Sequence, residues 1–137
     1  MAAVTDDEHQ VLEFELGEKD FCVGLDAVDE IVNKDDDITG IPNSDRKVSG
    51  VMDLRGRTTT IIDPGVALDV QVETGPKYVI VFESEDRPFG WLIDDVSRVS
   101  SLSEEHLDDS VANGTIEGVF KQDGDFIVWV DPDTINM

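Results

Sequence analysis

One cysteine, two histidines and ten basic side chains are all that this 137-residue chain carries in those classes, and each shortage closes a route. A single thiol, Cys22, excludes an internal disulfide and a thiolate metal site, which suits a reducing compartment. Set mid-strand between Phe21 and Val23, Cys22 reads as a small buried hydrophobe rather than a nucleophile. His9 and His106 have no second histidine at ligand spacing and no third group for a triad, so both read as surface residues, His9 in a mobile N-terminus. No run approaches the roughly 18 apolar residues of a membrane helix, and MAAVTDDEHQ lacks the basic and apolar parts of a signal peptide. No glycine-rich phosphate loop is present. The reading is a soluble cytoplasmic protein of one domain, large enough to hold a core without staples.

What abounds is carboxylate: 32 Asp and Glu against 10 Lys and Arg, a formal charge of −22. Nucleic acid and anionic membrane surfaces would be repelled. A disordered acidic tail would concentrate the charge, whereas 39% of this chain is hydrophobic and the acids run from Asp6 to Asp133. A nucleic-acid mimic would not need acids on every loop. A halophilic surface, as a halophilic archaeal source would imply, fits best: at molar salt the Debye length is about 3 Å and carboxylates solvate the protein without mutual repulsion.

Strand signals dominate the pattern. Leu12, Phe14 and Leu16 alternate with Glu13 and Glu15, GEKD makes a turn, and Phe21, Val23 and Leu25 alternate again, predicting a hairpin with one buried face. DAVDEIVN, with Val28 near Ile31 and Val32, predicts one or two helical turns, and Ser103 before Glu104 and Glu105 starts another. Sliding the chain on itself by 68 positions pairs Val11 with Val79, Phe14 with Phe82, Phe21 with Phe89 and Asp26 with Asp94. Without a gap the same offset pairs Gly50 with Gly118, Gly56 with Gly124, Asp63 with Asp131 and Pro64 with Pro132. A period of half the chain means duplication of a whole unit. The units span about 11–68 and 79–136, and each is too small for an open sheet without exposed edges. The expected architecture is all-β, two similar small barrels with short helical turns, with exchange of strands between them left open.

Paired aspartates in a duplicated chain invite comparison with the dyad of two-lobed aspartic proteases. Asp63 and Asp131 are each followed by proline rather than by the Thr or Ser and Gly of that family, so they are expected to end strands and turn the chain. Asp35, Asp36, Asp37 and Gly40 suggest a calcium loop, but the twelfth position holds Arg46 instead of a bidentate glutamate. No metal or cofactor is expected. The copies differ in charge: Arg55 and Arg57 stand where the second copy has Asp123 and Asp125, and with Arg46 they offer a region that either faces an acidic partner or tempers local repulsion.

Four phrases carry a resemblance: FELGEKDFCVGLDAVDEIV, IP followed by VSGVMDLRGRTTTIIDP, FGWLIDDVSRV, and IEGVFKQDGDFIVWVDPDTI. In order and spacing they resemble the CheW family of chemotaxis coupling proteins over nearly the whole chain. The resemblance implies two intertwined five-stranded SH3-like barrels and a non-catalytic adaptor between the histidine kinase CheA and chemoreceptors, cytoplasmic and recruited to receptor clusters. In that family a barrel end mimicking the kinase's own regulatory domain contacts the kinase, and the receptor's hairpin tip lies in a groove between the barrels. Carried over by motif, Val28, Glu30, Ile31, Gly50 and Arg55 fall to receptor binding; the repeat adds Val96 and Val99, while the kinase-contacting residues stay unassigned. Asp53, where the family often has Asn, puts a carboxylate beside Arg55. Two other readings are an acidic decoy for a basic partner and a CheW-like module serving another scaffold.

Overall fold

The computed structural model describes residues 8–34, 38–70, 75–84 and 87–136. The first half runs β1 (Glu8–Leu16), β2 (Lys19–Gly24), a 3-10 turn (Leu25–Ala27), β3 (Val28–Asn33), β4 (Val48–Leu54), β5 (Arg57–Ile62) and the short helix α1 (Pro64–Leu68). The second runs β6 (Tyr78–Phe82), β7 (Phe89–Ile93), β8 (Asp95–Ser103), a 3-10 turn (Glu104–His106), β9 (Leu107–Asp108), β10 (Ile116–Gln122), β11 (Asp125–Val130) and α2 (Pro132–Ile135).

The duplication is kept at single-residue resolution. The bounds of β10 and β11 are those of β4 and β5 moved by 68 positions. Both hairpins carry a bulge at the same place, between Val48 and Gly50 and between Ile116 and Gly118. Both turns place two residues at positive φ, Arg55 (51°) and Gly56 (82°) in one, Asp123 (53°) and Gly124 (84°) in the other, as a two-residue hairpin turn of primed type requires. Asp63 accepts a hydrogen bond from the Gly65 amide at 3.0 Å, and Asp131 from the Asp133 amide at 3.0 Å. Each caps a short helix whose first residue is proline, where a missing N–H costs nothing. The paired aspartates are thus strand-ending caps.

Neither sheet belongs to one half. One has the order β8-β1-β2-β11-β10-β9 and the other β3-β6-β7-β5-β4. The first hairpin of each half joins the second hairpin of the other through a parallel contact, β2 with β11 and β7 with β5. In the larger sheet β8 and β9 are one bent path broken by the 3-10 turn; β8 pairs with β1 and β9 with β10, so the two edges meet in five strands. In the smaller sheet β3 pairs with β6, and Thr39 farther along the same path bridges Val51 of β4. Closure removes free edges, the liability of small sheets.

Three clusters of buried side chains form among the described residues. Val11, Cys22, Leu102, Phe120 and Ile127 form the interior of the first barrel, and Met52, Ile61, Val79 and Val81 that of the second. The largest cluster, including Phe14, Phe21, Ile80, Phe82, Trp91 and Ile135, draws on both sheets and holds the barrels together. Strand β1 therefore has core on both sides. Glu13, expected on a solvated face, is buried at 5% exposure because its face points into the first barrel along with Val11. A second correction concerns DAVDEIVN: only Leu25–Ala27 makes a helical turn, and Val28–Asn33 is strand β3. Asp35, Asp36 and Asp37 lie outside the described residues. No helix among those described is long and apolar enough to cross a membrane.

Candidate functional site

The apolar candidates are two pairs on equivalent strands. Val28 pairs with Phe82 and Ile31 with Ile80, while Val96 pairs with Phe14 and Val99 with Leu12. Directly opposed residues share a face, so all four point the way of the central cluster. A bulge falls between Val28 and Glu30, and another displaces the register of β8 against β1 between Glu13 and Phe14. Each inserts one residue, so that positions three apart share a face of a strand. That spacing imitates a helix in the sequence. Val28 and Val96 are half-buried against the cluster, whereas Ile31 is 39% and Val99 55% exposed. The central core thus continues outward onto the edge strands as two apolar margins, one per barrel.

Glu30 and Arg55 come together. Glu30 lies on the opposite face from Ile31, and its carboxylate accepts a charge-assisted hydrogen bond from Arg55 Nη2. This hydrogen bond, then the charge of Glu30, raises the Arg55 pKa above its ordinary value, with Asp29 adding to it. The partner is Glu30 and not Asp53, which is exposed on β4. Arg55 also holds φ at 51°, a left-handed conformation that costs a non-glycine residue roughly 1–2 kcal/mol and that Asp, its equivalent at position 123, adopts more readily. Gly50 is buried, and a Cβ there would stand 2.2 Å from the Thr39 carbonyl oxygen where the second barrel closes. It shapes the barrel and offers no surface.

The repeat inverts the charges around the two barrel ends. The positions of Glu30 and Arg55 are taken in the other barrel by Arg98 and Asp123. Arg98 Nε donates to the buried Glu13 at 3.3 Å, and the Ser100 hydroxyl donates to the same oxygen. A cavity of about 270 Å³ at this end is lined by Glu13, Asp20, Arg98, Asp123 and Asp125 among others. The matching end of the second barrel has one of about 480 Å³, lined by Asp29, Arg57, Phe82, Glu83, Ser84 and Pro88. The first end sets Arg98 among Glu13, Asp20, Asp123 and Asp125, whereas the second sets Arg55 and Arg57 among Asp29, Glu30 and Glu83. The first end escaped the pattern of alternation, although Val81 at the position equivalent to Glu13 marks that site as interior.

His9 corrects another expectation. It lies in β1, half-buried, with its ring 4.7 Å from that of Trp129 and 6.1 Å from that of Phe120, and Nε2 3.8 Å from a Glu104 oxygen. His106 is exposed in its 3-10 turn. Cys22 is fully buried, and desolvation, then the charges of Glu13 and Glu117, push its pKa up and keep the thiol protonated. Among the described residues no three His, Cys, Asp or Glu side chains gather as a metal site would need.

Residues 10–136 match the model of the CheW-like domain. The chain belongs to the CheW family. It is 32% identical over 133 residues to the chemotaxis protein CheW of Thermotoga maritima, an alignment covering 93% of this chain and 87% of that protein. The CheW of Treponema pallidum is 29% identical over 141 residues, covering 94% and 82%. Among solved structures, the scaffolding protein TtCheW from Thermoanaerobacter tengcongensis superposes with a TM-score of 0.79 at 24% identity, over 90% of this chain and 88% of that one. The CheW fold, two SH3-like barrels, is therefore the fold of this chain.

Proposed function

We propose that this CheW-family protein is a non-catalytic adaptor that couples chemoreceptors to the histidine kinase CheA, as its relatives' names as chemotaxis proteins suggest. The observation that carries the reading is the pair of apolar margins, Val28 with Ile31 and Val96 with Val99, which extend a core already shared by the two barrels. A helical hairpin laid between the barrels would bury Ile31 and Val99 against its own apolar stripe, the usual economy of helix-in-groove recognition. Arg55, steered by Glu30 from the far face of β3, would pair with an acidic residue at the rim and fix orientation more than affinity. A left-handed arginine where the repeat has aspartate supports a role beyond turn formation. Kinase binding falls to a barrel end, and the arginines that only the second end presents beside its turn give that choice a physical basis.

Titrating the regulatory domain of a CheA kinase from the same organism into this protein by calorimetry, in molar potassium chloride, tests the kinase half. Saturable one-to-one heat is the expected result. A folded protein that gives no heat would remove the kinase from the account. Molar salt is specified because the carboxylate surface is expected to belong to a halophilic source, recruited from the cytoplasm to receptor clusters.

A further inference from the structure

Beside the central cluster, a cavity of about 460 Å³ opens between β2, β10, β11 and α1. One wall is apolar, with Phe21, Leu68, Val70, Ile116 and Val128; Asn113, Gly114 and Thr115 form a polar side, and Lys19 lies among the lining residues. In a chain with 32 carboxylates, none of the described residues lining it is acidic, and Lys19 makes no ion pair among the described residues. The repeat says what such a space takes. Helix α2 stands where α1 does, 68 positions on, and its Ile135 is 3% exposed within the central cluster, against which Phe89, the equivalent of Phe21, also packs. The residue of α1 equivalent to Ile135 is Ala67, which is exposed. The short side chain leaves open beside the first barrel the room that isoleucine occupies beside the second.

We infer that this cavity is a docking pocket for a partner polypeptide that inserts one branched aliphatic side chain with a carboxylate close to it in sequence. The aliphatic group would replace the missing side chain at position 67, and the carboxylate would meet Lys19. The segment that fills the equivalent place has the same chemistry, with Asp133 two residues before Ile135. The pocket shares no residue with the margins of Ile31 and Val99, so receptor and pocket occupant would not compete for the same side chains.

The probe is the acetylated, amidated peptide Asp-Pro-Asp-Thr-Ile-Asn, the sequence of residues 131–136, added to the 15N-labelled full chain. Saturable shifts at the amides of Phe21, Ile116 and Val128 are expected. Replacing the peptide's isoleucine by alanine should weaken binding at least about tenfold, the worth of one buried aliphatic side chain. Lys19→Glu should weaken it several-fold, and Ala67→Ile should abolish the shifts in a protein whose spectrum is otherwise native. No saturable shift in the unaltered chain, an alanine peptide that binds as well, or shifts that persist in a folded Ala67→Ile protein would each overturn the assignment.

Discussion

Gly50 and Gly56 lie six residues apart on one hairpin, and the fold asks different things of them. At Gly56, with φ at 82°, a Cβ would meet nothing within 4 Å, so Gly56→Ala carries only the left-handed cost of about 1–2 kcal/mol. At Gly50 the Thr39 backbone occupies the Cβ position, so Gly50→Ala should cost on the order of 3 kcal/mol or more by opening the barrel. Urea unfolding of the two variants measures the difference, and equal costs would contradict closure through Gly50. Cys22 makes a pH prediction. Its folded-state pKa is raised, so its contribution is fully present below the ordinary thiol pKa, about 8.5, and is lost as pH rises beyond it. Unfolding stability should fall more steeply between pH 8.5 and 10 in the unaltered protein than in Cys22→Ala, and the native thiol should resist disulfide reagents that label it after unfolding. The glycines could be read from the repeat, since both copies keep them. The distinct reason for Gly50 could not, because Thr39 meets it only once the barrel closes.

At the scale of elements, strands and hairpin turns were legible wherever alternation was regular. The misreading of Val28–Asn33 as helix has a definite cause: a bulge turns a two-residue period into a three-residue step, and Val28, Ile31 and Val32 then match a helical stripe. The misplacement of Glu13 has another cause, since alternation cannot tell a strand covered on one face from one covered on both. The equivalence of Glu13 and Val81 makes the prediction for this element. Arg98, the partner of Glu13, is 66% exposed and needs no buried counter-charge. Replacing a buried ion pair by well-packed apolar residues is often neutral or stabilising by about 1–4 kcal/mol, and the penalty for removing one member alone arises when the other stays buried, which Arg98 does not. Glu13→Val should therefore leave the melting temperature unchanged or raise it. A loss of more than about 2 kcal/mol would show that the first barrel depends on this carboxylate in a way the second does not.

The two halves of the molecule repeat one strand pattern at a 68-residue offset, woven into two barrels, and their matching hairpin turns differ in charge. That divergence was visible in LRGR against QDGD. The pairing of Arg55 with Glu30, 25 residues away, was not, because the connection runs across the second barrel. A net charge of −22 spread over so small a body makes self-repulsion the global destabilising force. Raising potassium chloride from 0.1 M to 1 M shortens the Debye length from about 10 Å to 3 Å, so the melting temperature should climb steeply over that range and more gently above it. A melting temperature indifferent to salt would remove the halophilic reading of the surface. The central claim is that one chain bridges two partners, and co-sedimentation tests it directly. Vesicles displaying a receptor's cytoplasmic hairpin are mixed with CheA kinase in molar potassium chloride, with and without this protein. The account predicts that the kinase sediments with the vesicles only when the protein is present, and that Ile31→Asp combined with Val99→Asp abolishes this while kinase binding in solution survives. Kinase sedimentation that does not depend on the protein, or that is untouched by the double substitution, would contradict it.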